Sequence, residues 1–264
     1  MVNLLFGLAR LNGICSIIDN DNDNDNQAKM AVENFHVPPA RPVLQLATGA
    51  RRSQAIHSAL QREIVMGELA PRAVLRELEL VERFGVSQGT VREALLSLQE
   101  EGLVLRQPHR GTSVADCRAD DAEELIRIRH DIECRGVRRA MARAGRKMAE
   151  PLARELDAMR IAAAAGDEYA LSVHDRSFHM RLYAFADLPP VEPVLSRALV
   201  HVHRFKILHP AQGRDLMETA NRHQGIVDAI ADGNADLAAS ALAHHVMTIV
   251  DLGPRIVGEE AQGK

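Results

Sequence analysis

Tryptophan is absent from this 264-residue chain, and only 3% of its residues are aromatic. A core without large rings must rest on Leu, Ile, Val, Ala and Met. That suits packed helices better than a β-sandwich, whose strands draw on β-branched and aromatic side chains. Cysteine is nearly as scarce. Cys15, Cys117 and Cys134 lie far apart, so neither a disulfide framework nor a thiolate zinc site is indicated. No apolar run reaches membrane-spanning length, and the apolar opening, Met1–Ile18, contains Arg10 and lacks the cleavage pattern of a secretory signal. No membrane partner is expected, and a cytoplasmic location follows by default. The net charge of −4 advertises no partner either.

The charge is unevenly spread. Residues 41–118 carry 11 Lys/Arg against 9 Asp/Glu, whereas the segments on either side are each net acidic. A small basic head on an acidic body can still hold nucleic acid through local contacts. At this length two domains are the natural expectation. Residues 1–50 read as a tail and linker: an alternating Asp-Asn tract at 19–26 cannot bury a core, lacks the Gly and Glu of a calcium loop, and is followed by Pro38, Pro39 and Pro42. An alternative expectation is that this tail is upstream sequence from a mis-set start, with Met30 as the natural first residue.

Residues 51–117 read as a winged helix-turn-helix. Ile56, Leu60, Ile64 and Val65 recur at helical spacing until Gly67. A second helix is predicted over Glu77–Phe84, and a third from a Ser87 cap to Glu101. Strands over Leu103–Arg106 and Thr112–Ala115 then form a hairpin. Val91, Leu95 and Leu98 face the core of this head, leaving Ser87, Gln88, Thr90 and Arg92 at the exposed N-terminal end of the third helix. That is the end such proteins insert into the major groove, where Gln can pair with adenine and Arg with guanine or phosphate. Arg110 and Gly111 at the hairpin tip suit the minor groove. The competing role for Arg92 is pairing with acids on its own helix.

The run "IVMGELAPRAVLRELELVERFGVSQGTVREALLSLQEEGLVLRQPHRGTSV", Ile64–Val114, resembles the winged head of GntR-family transcriptional regulators. The marks are Gly67, Leu75, Glu77, Leu80, the Gly-Val-Ser turn, Val91–Leu95, Leu98, Glu101–Leu103 and Arg110-Gly111. Two positions depart from the family: Arg72 stands where Gly is frequent, and Gln88 where Arg is usual. The second departure bears on which operator is read.

Residues 118–252 read as helical throughout, an antiparallel bundle of six helices, with 253–264 a C-terminal tail. Asp120 with Glu123 suggests a capping box. Leu171, Asp175, Phe178, His179 and Leu182 share one face of the third bundle helix. Leu216, Ala220, His223, Val227 and Ile230 do so in the fifth, and Ala238, Leu242, His245 and Ile249 in the sixth. One carboxylate and three imidazoles facing an apolar core are costly unless something pairs them. A divalent cation does so; zinc is the first expectation, with nickel, manganese or iron(II) compatible.

Asp175, His179, His223 and His245 also resemble the metal-binding form of the FCD effector domain found behind GntR heads, in its shorter VanR-like variant. That resemblance implies a small carboxylic-acid effector bound over the metal, a homodimer on a palindromic double-stranded DNA operator, and a repressor rather than an enzyme. Arg129 and Arg204 are the candidates for a second carboxylate contact, because guanidinium forks match carboxylates. An interhelical ion pair, with Glu133 or another acid, is the alternative for each. Two rival readings stay open: a helical metal-dependent phosphohydrolase using His174-Asp175 and His130-Asp131, and a sensor whose ligand is the cation itself.

Overall fold

The computed structural model describes residues 49–107, 111–210 and 214–248. The Asp-Asn tract, Met30, Arg110, Ile249 and the C-terminal tail lie outside them. Three helices and a small sheet form the head. α1 (Gly49–Val65) begins inside the stretch expected to be linker, and buries Ile56, Leu60 and Ile64 completely. α2 (Glu77–Phe84) ends at Gly85, whose left-handed backbone (φ 63°) turns the chain sharply into α3 (Gln88–Glu100). Val91, Leu95 and Leu98 of α3 pack against α1, and each is fully buried.

The sheet has one strand more than the hairpin expected from sequence. β1 (Val74–Leu75) joins β2 (Val104–Gln107) and β3 (Gly111–Val114) in the order β1-β3-β2, all antiparallel. Leu75 pairs with Thr112, and Val104 with Val114. A two-residue strand is too short to carry an alternation pattern, so sequence periodicity could not reveal it.

The bundle begins at α4 (Ala119–Ala144), whose N-cap is Arg118, with no side-chain cap; the Asp120–Glu123 capping box does not form. After a 3₁₀ turn, α5 (Ala149–Ala164) and α6 (Glu168–Ala184) follow, the latter capped by Asp167 through the Ala170 amide at 2.9 Å. α7 (Glu192–Leu208) comes next. The fifth expected helix is broken into α8 (Leu216–Asn221) and α9 (Gln224–Ala231), with His223 in the break. α10 (Ala235–Met247) completes the series. Phe178, Leu182, Leu199, Val202, Ile226, Ile230 and Leu242 are fully buried together. Leu, Ile, Val, Met and Ala supply nearly all of this core, as the scarcity of aromatics requires.

Candidate metal centre and nucleic-acid interface

α6 places Asp175 and His179 one turn apart on its buried face, and His223 and His245 reach them from the α8–α9 break and from α10. Ligand nitrogens of the three histidines lie within 4.8 Å of one another. His179 Nε2 is 3.2 Å from His245 Nε2 and 3.5 Å from Asp175 Oδ1, while Asp175 Oδ2 is 3.6 Å from His223 Nε2. The break in the fifth helix has a local cause in His223 itself: its Nδ1 donates to the Ala220 carbonyl at 3.1 Å, which turns Nε2 toward Asp175. All four predicted residues therefore converge.

The polar atoms of this cluster are poorly satisfied by protein alone. Asp175 Oδ1, His223 Nε2 and His245 Nδ1 are buried with no hydrogen-bond partner among the described residues. Burial would raise the Asp175 carboxyl, but His203 and His223 beside it hold it well below the usual carboxylate range. Burial, with His223 and His179 alongside, pushes His245 well below an ordinary imidazole, which leaves its lone pair free. A carboxylate and three imidazoles at these separations fit a divalent cation.

Glu133 supplies the outer support. Its carboxylate accepts from His179 Nδ1 on one oxygen and from Arg129 Nε, at 2.8 Å, on the other. Burial opposes its ionisation, yet Arg129 and His179 draw it down to about 2. A carboxylate behind a histidine fixes the ring and raises its basicity as a ligand. Arg129 pairs with Glu133 one turn along the same helix, so this ion pair is not interhelical. Both terminal nitrogens of the fully buried Arg129 keep no partner among the described residues.

Arg204 is a correction. It is fully buried, but donates to the carbonyls of Ala115 (2.9 Å) and Asp116 (3.2 Å), where the head joins the bundle. Its neighbour His203 points the other way, with Nε2 3.0 Å from Asp175 Oδ1. Adjacent helical residues diverge by about 100°, so only one of the two can face the cluster. That residue is His203, not the expected Arg204, and Lys206 is buried on the same helix without having been expected there. The signal was available, because Leu195, Leu199, Val202, His203 and Lys206 repeat on α7 the spacing of Leu171, Asp175, Phe178, His179 and Leu182 on α6.

The histidines of the hydrolase reading make their contacts outside this cluster. His174 meets Glu155 at 3.1 Å, and His130 sits beside an exposed Asp131.

In the head, Ser87 caps α3 by accepting from the Thr90 amide at 3.3 Å. Gln88 and Arg92 are exposed at that end, and each donates to Glu77 Oε2 at 2.8 Å. Arg106 approaches the other Glu77 oxygen at 3.3 Å. The acid partnering Arg92 thus lies on the preceding helix, not its own. One carboxylate holds the long side chains in a common orientation, and Gly111 (φ 82°) opens β3 at the base of the wing.

Comparison with known proteins agrees with this anatomy. The family described as bacterial regulatory proteins, gntR family, matches residues 52–114, and the FCD domain matches residues 124–248. The probable D-xylose utilization operon transcriptional repressor of Paenarthrobacter nicotinovorans is 32% identical over 70% of this chain and 80% of its own length. This chain belongs to the GntR family. The HTH-type transcriptional repressor RspR of Escherichia coli K12 is 28% identical over 75% of the chain and 86% of that protein. Among solved structures, a GntR regulator from Rhodococcus sp. RHA1 covers 79% of this chain and 98% of its own, with a TM-score of 0.60 at 27% identity. E. coli McbR/YncC shares the fold, with a TM-score of 0.63 at 20% identity over 80% of this chain and 99% of its own. This GntR protein is therefore a transcriptional regulator with an FCD domain behind its winged head. No helix among its described residues is long and apolar enough to cross a membrane.

Proposed function

We propose that this regulator is a ligand-responsive repressor. It binds a near-palindromic duplex operator as a homodimer and releases it when a small carboxylic acid occupies the helical domain over a divalent cation. The observation that carries the reading is a coexistence: the three clustered histidines His179, His223 and His245 with Asp175 beside them, where Asp175 Oδ1, His223 Nε2 and His245 Nδ1 lack a partner among the described residues, and the two bare terminal nitrogens of Arg129. Those four residues would hold the cation, zinc first among the candidates. When bound, it would offer its positive charge and an open position to one carboxylate oxygen. Arg129 would take the other oxygen, since its fork matches a carboxylate.

Ser87, Gln88, Thr90 and Arg92, with Arg110 and Gly111 on the wing, would meet DNA. The exposure of Gln88 and Arg92 at the α3 N-terminus supports that assignment. Two relatives named as repressors support the direction of control. Control requires that the acid favour one arrangement of the heads over another.

The test joins two measurements on protein purified without chelator. Elemental analysis with native mass spectrometry should find one divalent metal per chain and a copurified organic acid. Selection from a random duplex library should enrich a two-fold symmetric site. Protein that takes up no zinc would sink the effector half, and enrichment of asymmetric sequence would sink the dimeric operator half.

A further inference from the structure

α7 touches the metal cluster with one face and the head with the other. On the inner face, His203 Nε2 lies 3.0 Å from Asp175 Oδ1, the same oxygen that faces His179 Nε2 at 3.5 Å. Both His203 nitrogens are buried without a well-aligned hydrogen bond, so nothing else among the described residues holds this ring by hydrogen bonding. On the outer face, His201 Nε2 donates to the Glu101 carbonyl at 2.9 Å, and Arg204 grips the carbonyls of Ala115 and Asp116. Val200 is part of the buried core of the head. Leu208 presses on Gly67 so closely that a Cβ there would lie 2.5 Å from its Cδ2.

These contacts bracket the wing. Glu101 precedes β2, and Ala115-Asp116 follow β3. His203 and Arg204 are consecutive residues on a rigid element, so a displacement of one is a displacement of the other. The inward Asp175 oxygen that would join the cation's ligand set is also the atom that His203 Nε2 approaches at 3.0 Å.

We propose that His203 is the positioning residue through which occupancy of the metal cluster reaches the DNA-reading head. It ties Asp175 to α7, and Arg204 and His201 carry that tie to the backbone on either side of the wing. Metal-dependent ordering of α7 then fixes the wing in one setting, which is the two-state element that coupling requires. This inference rests on the metal reading above.

Hydrogen–deuterium exchange on the full chain, with and without saturating zinc alone, tests it; native mass spectrometry verifies one zinc per chain in every sample. The informative amides are Leu103, Val114 and Ala115, which bond to the carbonyls of Leu98, Ala73 and Leu103. In the wild type, zinc should slow their exchange by about tenfold, a typical coupling factor. In His203→Gln, and separately in Arg204→Met, the slowing should fall below about twofold although zinc is bound. Because Arg204→Met leaves every residue of the cluster in place, it keeps the test decisive should His203→Gln fold poorly. Undiminished slowing in either zinc-loaded variant overturns the proposal. So does a zinc-loaded wild type whose head amides do not respond. Failure of the wild type to bind zinc at all would instead strike the metal reading, and the coupling with it.

Discussion

The head and the bundle handle polar side chains in opposite ways. In the head, among the described residues, only His57 and Thr112 are buried polar groups, and the long charged chains meet one another at the surface around Glu77. In the bundle eleven of the described polar or charged residues are buried, and several keep atoms with no partner among the described residues. Surface ion pairs are weak and exchangeable, so the head can surrender Gln88 and Arg92 to a ligand at small cost. Buried orphan groups are expensive and persist when something outside the chain satisfies them. The head is therefore built to be rearranged by its partner, and the bundle to be completed by one.

The largest effect should come from breaking the completion. His223→Ala removes one of four converging ligands and the anchor at the α8–α9 break. Zinc affinity should drop by more than a hundredfold by isothermal titration against a competing chelator. The zinc-induced gain in stability, about 3 kcal/mol at a hundredfold excess over the wild-type dissociation constant, should vanish. Equal zinc uptake by the variant would remove His223 from the site.

Acid should undo the bundle before the head. Burial holds the His203 imidazole down to about 4, against an ordinary 6.5. Between those values the unfolded chain binds the proton and the folded chain does not. Its contribution is therefore whole above about pH 6.5 and lost as pH falls toward 4. Glu133, drawn down to about 2 from 4.5, adds a second loss below 4.5. Each group contributes a slope of up to about 1.4 kcal/mol per pH unit within its window. Urea midpoints of zinc-free protein at pH 7.5, 5.5 and 4.5 should decline in order, and His203→Gln should flatten the first step. A midpoint unchanged from pH 7.5 to 5.5 would contradict it.

Next in size is the head. Arg92→Ala should weaken binding to the selected duplex by about ten- to a hundredfold, the range of a lost base or phosphate contact. It should leave the thermal midpoint nearly unchanged, because its pair with Glu77 is exposed. Equal affinity at moderate salt would remove Arg92 from the interface.

Much of this was legible in sequence because periodicity reports which face is buried. The spacing on α6 and α10 brought Asp175, His179 and His245 inward, and the Ser87 cap and Gly85 turn fixed where α3 begins. What escaped depends on information that spacing does not carry. Arg204 is as buried as an inward residue, but its burial is against the head, and one-dimensional periodicity cannot tell two buried faces of one helix apart. The break at His223 goes with a side chain bonding to the backbone carbonyl of Ala220, three residues before it. Glu133 gained its place from contacts 46 residues away. β1 is two residues long and owes its existence to pairing with β3.

The smallest expected effect sits at Arg72, where the family frequently has glycine. Its backbone is left-handed (φ 68°), a region that costs a residue with a Cβ but not glycine. Its amide still bonds the Val114 carbonyl at 3.0 Å, so the turn is needed to seat β3 against the loop before β1. Arg72 offsets the strained conformation with an exposed ion pair to Asp116, next to the carbonyls that Arg204 grips. Two substitutions separate backbone from charge. Arg72→Ala keeps the unfavourable φ and loses the pair, whereas Arg72→Gly loses the pair but relieves the backbone. The glycine variant should therefore melt higher than the alanine variant by roughly 2–4 °C, the shift that about 1 kcal/mol produces in a domain of this size. Equal midpoints would mean that the left-handed turn carries no strain. An alanine variant that melts higher would mean that the flexibility glycine brings to the unfolded chain outweighs the conformation it favours.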